Sequence, residues 1–401
     1  MPRFRKRSSV LWMKPGRECS NQVIKRRYIV FVSNVVRTVT MKQAPELQTP
    51  KRREGKMKKI FTFALVVALV SITLGIGFNK VEAAQKVYKW DMTYPLYRGT
   101  WDWEVLEKWC AHLKVASGGR LDITPHAGGE IMPVMETFDA VSTGTLKIDF
   151  SYGPYWIGKL PMAIYASGLP AFTLSRWEHY KVLYYELGLE ALIRKAYAKN
   201  NIMYVSAIPT NNAVMLSKKP IWKASDLKGK KFRATGFYAE VLAAAGASAV
   251  YFPWGEIYGS LEKGVIDGVI AGPLSSQADS GFHELTKYFL ETPITPVDAW
   301  SLHVNMDAWK ALPEDLQNLI VESCSYAADI FTGSYFVHDV RWRKKIVEDF
   351  GFTVTSLSAE EQKKMSVHAM QVLDKYSQKD ETFAEATKIL KQYMKDLGLL
   401  K

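Results

Sequence analysis

The residue that most invites chemistry is Arg233. In the stretch DLKGKKFRATGFY (226–238) a short strand is expected to begin after Gly229 and to carry Arg233 near its end, just before Thr235 and Gly236. Burying a guanidinium without a partner costs several kcal/mol. Arg233 must therefore pair with an acidic side chain or wait in a crevice that takes an anion. A planar guanidinium can hold both oxygens of a carboxylate at once, which makes a ligand carboxylate the expected partner and a structural ion pair the alternative. Lys230 and Lys231 beside it are read as a solvated strand edge.

Aromatic residues gather at the expected strand ends and loops. Tyr152, Tyr155, Trp156, Phe237 and Trp254 are taken as walls of a small-ligand pocket, because such rings combine large apolar faces with a polar handle; ordinary core is the alternative for each. Asn211 or Asn212, in the loop PTNNAV, supplies a hydrogen bond or serves as a turn residue. No catalytic set accompanies them. The sequence lacks G-x-S-x-G, G-x-x-x-x-G-K-[ST] and H-E-x-x-H, and its seven histidines show no ligand spacing. Recognition without covalent chemistry, cofactor or metal is expected. A secreted enzyme, the rival class, would draw on Asp267, Glu256 or His303.

The charge belongs to one end of the chain. Of 401 residues with a formal charge of +13, Met1 to Lys59 hold 17 Lys and Arg against 3 acids, whereas the rest is close to neutral. A nucleic-acid partner is therefore not expected of the body. The stretch MKKIFTFALVVALVSITLGIGFNKVEAA (57–84) has a short basic start, an apolar run and small residues near Ala83, the layout of a signal peptide; a membrane anchor is the alternative. Met57 is the expected start of the protein, with 1–56 a mis-assigned extension or a disordered basic segment. Cys110 and Cys324, the two cysteines of the body, are expected to pack as small apolar groups.

These residues need elements to position them. KVYKWDMTYP (86–95), the amphipathic stretch 100–119 and RLDITPHAGG (120–129) predict strand, helix and strand, a βαβ start with a parallel sheet. An echo follows. ETFDAVSTGTLKIDFSYGP (136–154) and EIYGSLEKGVIDGVIAGP (256–273) each read as a short helix, a capping glycine (Gly144, Gly264), a strand and a Gly-Pro loop. The duplication predicts two α/β lobes. Ligands of open α/β sheets bind outside the carboxyl ends of the strands, which puts the two Gly-Pro loops at a shared cleft. From 313 onward one long amphipathic helix and two shorter bracing helices are expected.

SGGRLDI (117–123), AVSTGTLKIDFS (140–151), DLKGKKFRATG (226–236), GEIYGSLEKGVIDG (255–268) and NMDAWKALPEDLQ (305–317), in this order, resemble the solute-binding proteins of TRAP transporters, the DctP-type family. The resemblance covers about 85–398. It implies an extracytoplasmic, periplasmic receptor of two lobes with hinge strands and a long bridging helix, which delivers a carboxylate to a membrane permease. It further implies lobe I over 85–205, lobe II over 206–290, and a return through the hinge to lobe I, the long helix and the C-terminal helices over 291–401. The family's solute-gripping arginine falls on Arg233. SYGPYWIGKLPMA (151–163) is similar to the branch that handles 2-oxo acids. That branch uses a Glu-Trp pair near the second Gly-Pro loop to help hold a metal; here Val269, Ile270 and Ala271 follow Asp267-Gly268, so a metal is not expected and an aromatic or branched carboxylate suits. A ligand sensor for a membrane signalling protein is the alternative to a transport receptor.

Overall fold

The computed structural model describes residues 85–174, 176–295 and 297–400; the basic segment and the signal-peptide stretch fall outside the described residues. Strand β1 (Tyr88–Thr93) buries Trp90 and Met92 at alternate positions. Helix α1 (Trp101–Ala116) buries Trp103, Leu106, Trp109, Cys110 and Leu113 along one stripe. It then returns the chain to β2 (Leu121–His126), parallel to β1. Helix α2 (Thr137–Thr143) ends at Gly144, whose φ of 80° closes the helix in the left-handed region, and β3 (Ile148–Ser151) follows, buried along its whole length. Helix α3 (Leu189–Ala198) leads into β4 (Ile202–Pro209).

Beyond β4 the chain enters a second sheet. It contains β5 (Ala213–Ser217) and β6 (Lys231–Arg233), then α4 (Gly236–Ala244), β7 (Ser248–Val250), α5 (Ile257–Glu262) and β8 (Gly268–Ile270). Helix α6 (Leu274–Asp279) and strand β9 (Tyr288–Thr295) follow. Strand β10 (Ala299–Asn305) rejoins the first sheet, and β11 (Thr353–Thr355) is later added to the edge of the second. The orders are β2-β1-β3-β10-β4 and β11-β9-β5-β8-β6-β7. One large apolar core spans the first sheet and reaches the second through Met215, Phe232 and Ile270, and a smaller core within the second is built on Val214, Leu216, Ile257, Leu261 and Phe289.

Two crossings join the sheets, one between β4 and β5 and the other between β9 and β10. They are bonded to each other: the Thr210 amide (3.0 Å) and hydroxyl (3.1 Å) donate to the Asp298 carbonyl, and the Asp298 amide donates to the Asn211 carbonyl at 2.9 Å. This is the hinge. Helix α7 (Glu314–Glu348) runs past it. Its first half buries Leu316, Ile320, Cys324 and Phe331 against the first lobe, where Trp109 Nε1 donates to the Ser323 carbonyl at 3.2 Å. Its far end places Ile346 in the second core, with Trp342 Nε1 donating to Asp279 at 2.8 Å.

Helices α8 (Ala359–Ser377) and α9 (Glu381–Asp396) pack on each other and clasp both lobes. Glu361 of α8 accepts from the Ala224 amide at 2.7 Å, while Thr387 of α9 meets the Tyr165 hydroxyl at 2.9 Å. Cys110 and Cys324 are buried free thiols, and burial pushes each up to about 12. None of the described helices is long and apolar enough to cross a membrane.

Candidate functional site

The echoed units deliver their ends to one place. Tyr152 and Tyr155, just past β3, face Ala271, Gly272 and Pro273, just past β8, across a cleft. Strand β6 adds Arg233 and Thr235, α4 adds Tyr238, and the hinge adds Thr210, Asp298 and Trp300. Leu96, Trp254 and Tyr335 of α7 also line it.

Arg233 is 2% exposed. Its Nε and Nη2 both donate to the Phe252 carbonyl, at 3.3 and 3.2 Å, and the guanidinium carbon lies 5.2 Å from the Tyr251 ring centre. No carboxylate pairs with it among the described residues. Burial therefore depresses its pKa, partly offset by the neighbouring phenols of Tyr155, Tyr251 and Tyr152. A carbonyl and a ring face soften the desolvation, but neither supplies a negative charge.

Asp298 is the carboxylate of the cleft, 5% exposed. Tyr238 donates to its Oδ1 at 2.7 Å and Tyr152 approaches the same oxygen at 2.9 Å, the two hydroxyls being 2.6 Å apart. Tyr152 comes from the first lobe and Tyr238 from the second, so this cluster ties the lobes together through the hinge. Burial raises the Asp298 pKa to about 7 against the pull of the two phenols, and the same burial raises both phenols well above their ordinary value. Among the described residues no three His, Cys, Asp or Glu side chains gather as a metal set.

Of the eight residues expected to bind, the structure brings Arg233, Tyr152, Tyr155 and Trp254 to the cleft. Trp156 lies behind it, 3% exposed, donating to the Tyr197 hydroxyl at 3.2 Å and packed against Phe138. The turn Gly153–Trp156 sends successive side chains in different directions, so Tyr155 and Trp156 cannot both face the ligand. Phe237 is buried in the main core, while its neighbour Tyr238 takes the cleft position. Asn211 donates to Asp339 of α7 at 2.6 Å and Asn212 lies half-buried beside it, neither of them lining the cleft. Val269 and Ile270 are fully buried in β8, and of the apolar trio Ala271 alone reaches the cleft.

The residues of the enzyme alternative stand elsewhere. Asp267 accepts from the Lys231 amide at 2.8 Å, Glu256 is exposed, and His303 is enclosed by Trp156, Tyr197 and Tyr204. Sequence reading missed Asp298, Trp300, Thr210, Ser276 and Tyr335. The segment ITPVDAW (294–300) did carry a signal for one of them, a single acid inside a mostly apolar run with no other charge.

Two lobes, a bonded hinge and a charged cleft between them define a two-lobed solute-binding protein. The chain belongs to the bacterial extracellular solute-binding protein family 7, DctP, which it matches over residues 98–380. It is 33% identical over 275 residues to a monocarboxylate 2-oxoacid-binding periplasmic protein of Nostoc sp., a match covering 67% of this chain and 73% of the relative. It is 26% identical over 223 residues to the ectoine-binding periplasmic protein TeaA of Halomonas elongata, covering 52% of this chain and 61% of that one. Among solved structures it is similar to a TRAP periplasmic solute-binding protein of Colwellia psychrerythraea with bound calcium and pyruvate. That likeness has a TM-score of 0.71 and 26% identity, over 78% of this chain and 95% of the other. The chain is thus a TRAP-type solute-binding receptor and not an enzyme, and its family places it outside the cytoplasm.

Proposed function

We propose that this receptor captures a small organic carboxylate through Arg233 and hands it to the membrane permease subunits of a TRAP-type transporter, after export to the periplasm by the signal peptide at 57–84. One observation carries the reading: Arg233 is buried in an interlobe cleft with no counter-ion among the described residues. A ligand carboxylate supplies the missing charge and the bidentate geometry that a guanidinium favours. Relatives named for 2-oxo acids and ectoine, and one bound to pyruvate, have carboxylate ligands in common.

Closure follows from where the contacts lie. Arg233 and Trp254 belong to the second lobe, Tyr152 and Tyr155 to the first, so a ligand touching both sets binds the closed form better and shifts the population toward it. The donors here do not fit a calcium clamp. Calcium takes six to eight oxygens, usually with several carboxylates, whereas the cleft offers Asp298, one of whose oxygens is already engaged.

Titration calorimetry of the purified protein against a panel of small carboxylates tests the anchor. Replacing Arg233 by Ala should cost about 2–5 kcal/mol of binding. Undiminished affinity in Arg233→Ala would refute it. Chelation should leave the wild-type titration unchanged, and loss of binding restored by added calcium would reinstate a metal.

A further inference from the structure

The cleft holds two buried charges of opposite sign. Arg233 and Asp298 both line it, and among the described residues no ion pair joins them or ties either to another side chain. A ligand with a carboxylate alone satisfies Arg233 and leaves a second negative charge, Asp298, buried beside it. Such a site balances only if the ligand also brings a positive charge or if Asp298 takes a proton.

The geometry around Asp298 favours the first. Two phenol hydroxyls from opposite lobes converge on Oδ1, an arrangement that stabilises a carboxylate anion. Oδ2 takes no side-chain hydrogen bond among the described residues and faces Gly272, where an added Cβ would stand 3.7 Å away. An oxygen left open in this way accepts from a ligand N–H. The aromatic faces of Tyr155, Trp254 and Trp300 around the same cavity suit a cationic nitrogen as well as an apolar body.

We infer that the solute is a zwitterion, a small carboxylate carrying a cationic nitrogen, with its carboxylate on Arg233 and its nitrogen on Asp298 Oδ2. This rests on the carboxylate-anchor reading and deepens it. The relative that binds calcium with pyruvate brings an acid and a cation together; here the ligand carries both charges in one molecule.

Calorimetry with matched probes tests it: 2-aminobutyrate against 2-oxobutyrate, with ectoine as a cyclic amidinium carboxylate. At least one nitrogen-bearing acid should bind ten times or more tighter than 2-oxobutyrate. Asp298→Asn should weaken that acid by tenfold or more and leave 2-oxobutyrate equal or improved. The wild-type pH dependence needs no variant. With Asp298 near pH 7 in the empty cleft, affinity for the nitrogen-bearing acid should rise about tenfold from pH 6 to pH 8, because the ionised form is the one that binds. A 2-oxo acid that needs the proton should show the opposite slope.

The other titratable groups lining the cavity are Tyr152 past β3, Tyr238 on α4, Arg233 and Tyr155 across the cleft, and Tyr335 on α7; burial raises the four phenols above their ordinary value and so away from this range. Asp339, bonded to Asn211 behind the hinge, and Asp102, which accepts from Tyr335, are nearby acids that burial also raises, and loss of the slope in Asp298→Asn assigns it to Asp298. Preference for 2-oxobutyrate, affinity that falls as pH rises, or binding of none of the three probes would overturn the inference. If Arg233→Ala abolishes binding of both acids while Asp298→Asn spares the amino acid, the zwitterion fails and the anchor stands. If Arg233→Ala changes neither, the anchor itself has failed.

Discussion

At the scale of single residues the cleft is an unbalanced charge system, and its imbalance should be measurable without any ligand. Asp298 binds a proton more readily in the folded protein than in the unfolded chain, because burial raises it from the ordinary carboxylate range to about 7. Its contribution to stability is therefore fully present below about pH 4 and is lost as pH rises through 7. Asn at 298 cannot ionise. Relative to wild type, ligand-free Asp298→Asn should gain about 2–3 kcal/mol between pH 5 and pH 8, read from thermal unfolding at the two values. A difference that stays constant with pH would mean that Asp298 is not perturbed. The two charges were unequally legible in the sequence. Arg233 announces itself through a local pattern, a strand followed by Thr-Gly, whereas Asp298 acquires meaning from Tyr152 and Tyr238, which lie 146 and 60 residues away.

At the scale of elements, the legible features were those written in short-range signals. The glycine-capped helix, strand and Gly-Pro loop recur where the echo predicted, at Gly144 and at Gly264 with its φ of +71°. Side-chain direction within the turn Gly153–Trp156 and the start of α4 was not legible, since it depends on what packs behind each residue. The same two elements meet closely across the lobes. Gly236 opens α4 at φ +51°, and a Cβ added there would lie 2.7 Å from Pro154 Cβ and 3.0 Å from the Pro154 carbonyl oxygen. Gly236→Ala should therefore wedge the cleft open. Ligand affinity should fall about tenfold or more, equivalent to about 1.4 kcal/mol, and the positive φ adds a folding cost of about 1–2 kcal/mol. Calorimetry and thermal unfolding of the same variant separate the two. Full affinity with only a lowered unfolding temperature would show that closure does not bring Pro154 against this position.

At the scale of the whole molecule, closure is governed by contacts outside the cleft as well as by the ligand. Trp101, at the start of α1 in the first lobe, donates through Nε1 to Asp279 Oδ2 at 3.0 Å, and Trp342 of α7 donates to Oδ1 of the same carboxylate at 2.8 Å. The Trp101 ring also stacks on His338 of α7, with centres 4.5 Å apart. Asp279 sits at the end of α6 in the second lobe, so its carboxylate is a clasp between the first lobe, the second lobe and the bridging helix. The clasp is exposed, and a hydrogen bond to a charged group in such a place contributes on the order of 1 kcal/mol. That is a factor of about five in the ratio of closed to open forms, and apparent affinity scales with the fraction competent to bind. Asp279→Ala should thus weaken binding by up to about fivefold and raise the ligand-free radius of gyration in solution scattering. Saturating ligand should restore the wild-type radius, because ligand contacts in both lobes exceed what the clasp supplies. If radius and affinity both stay at their wild-type values, Trp101 and Asp279 merely touch in the closed form and the ligand alone drives the lobes together.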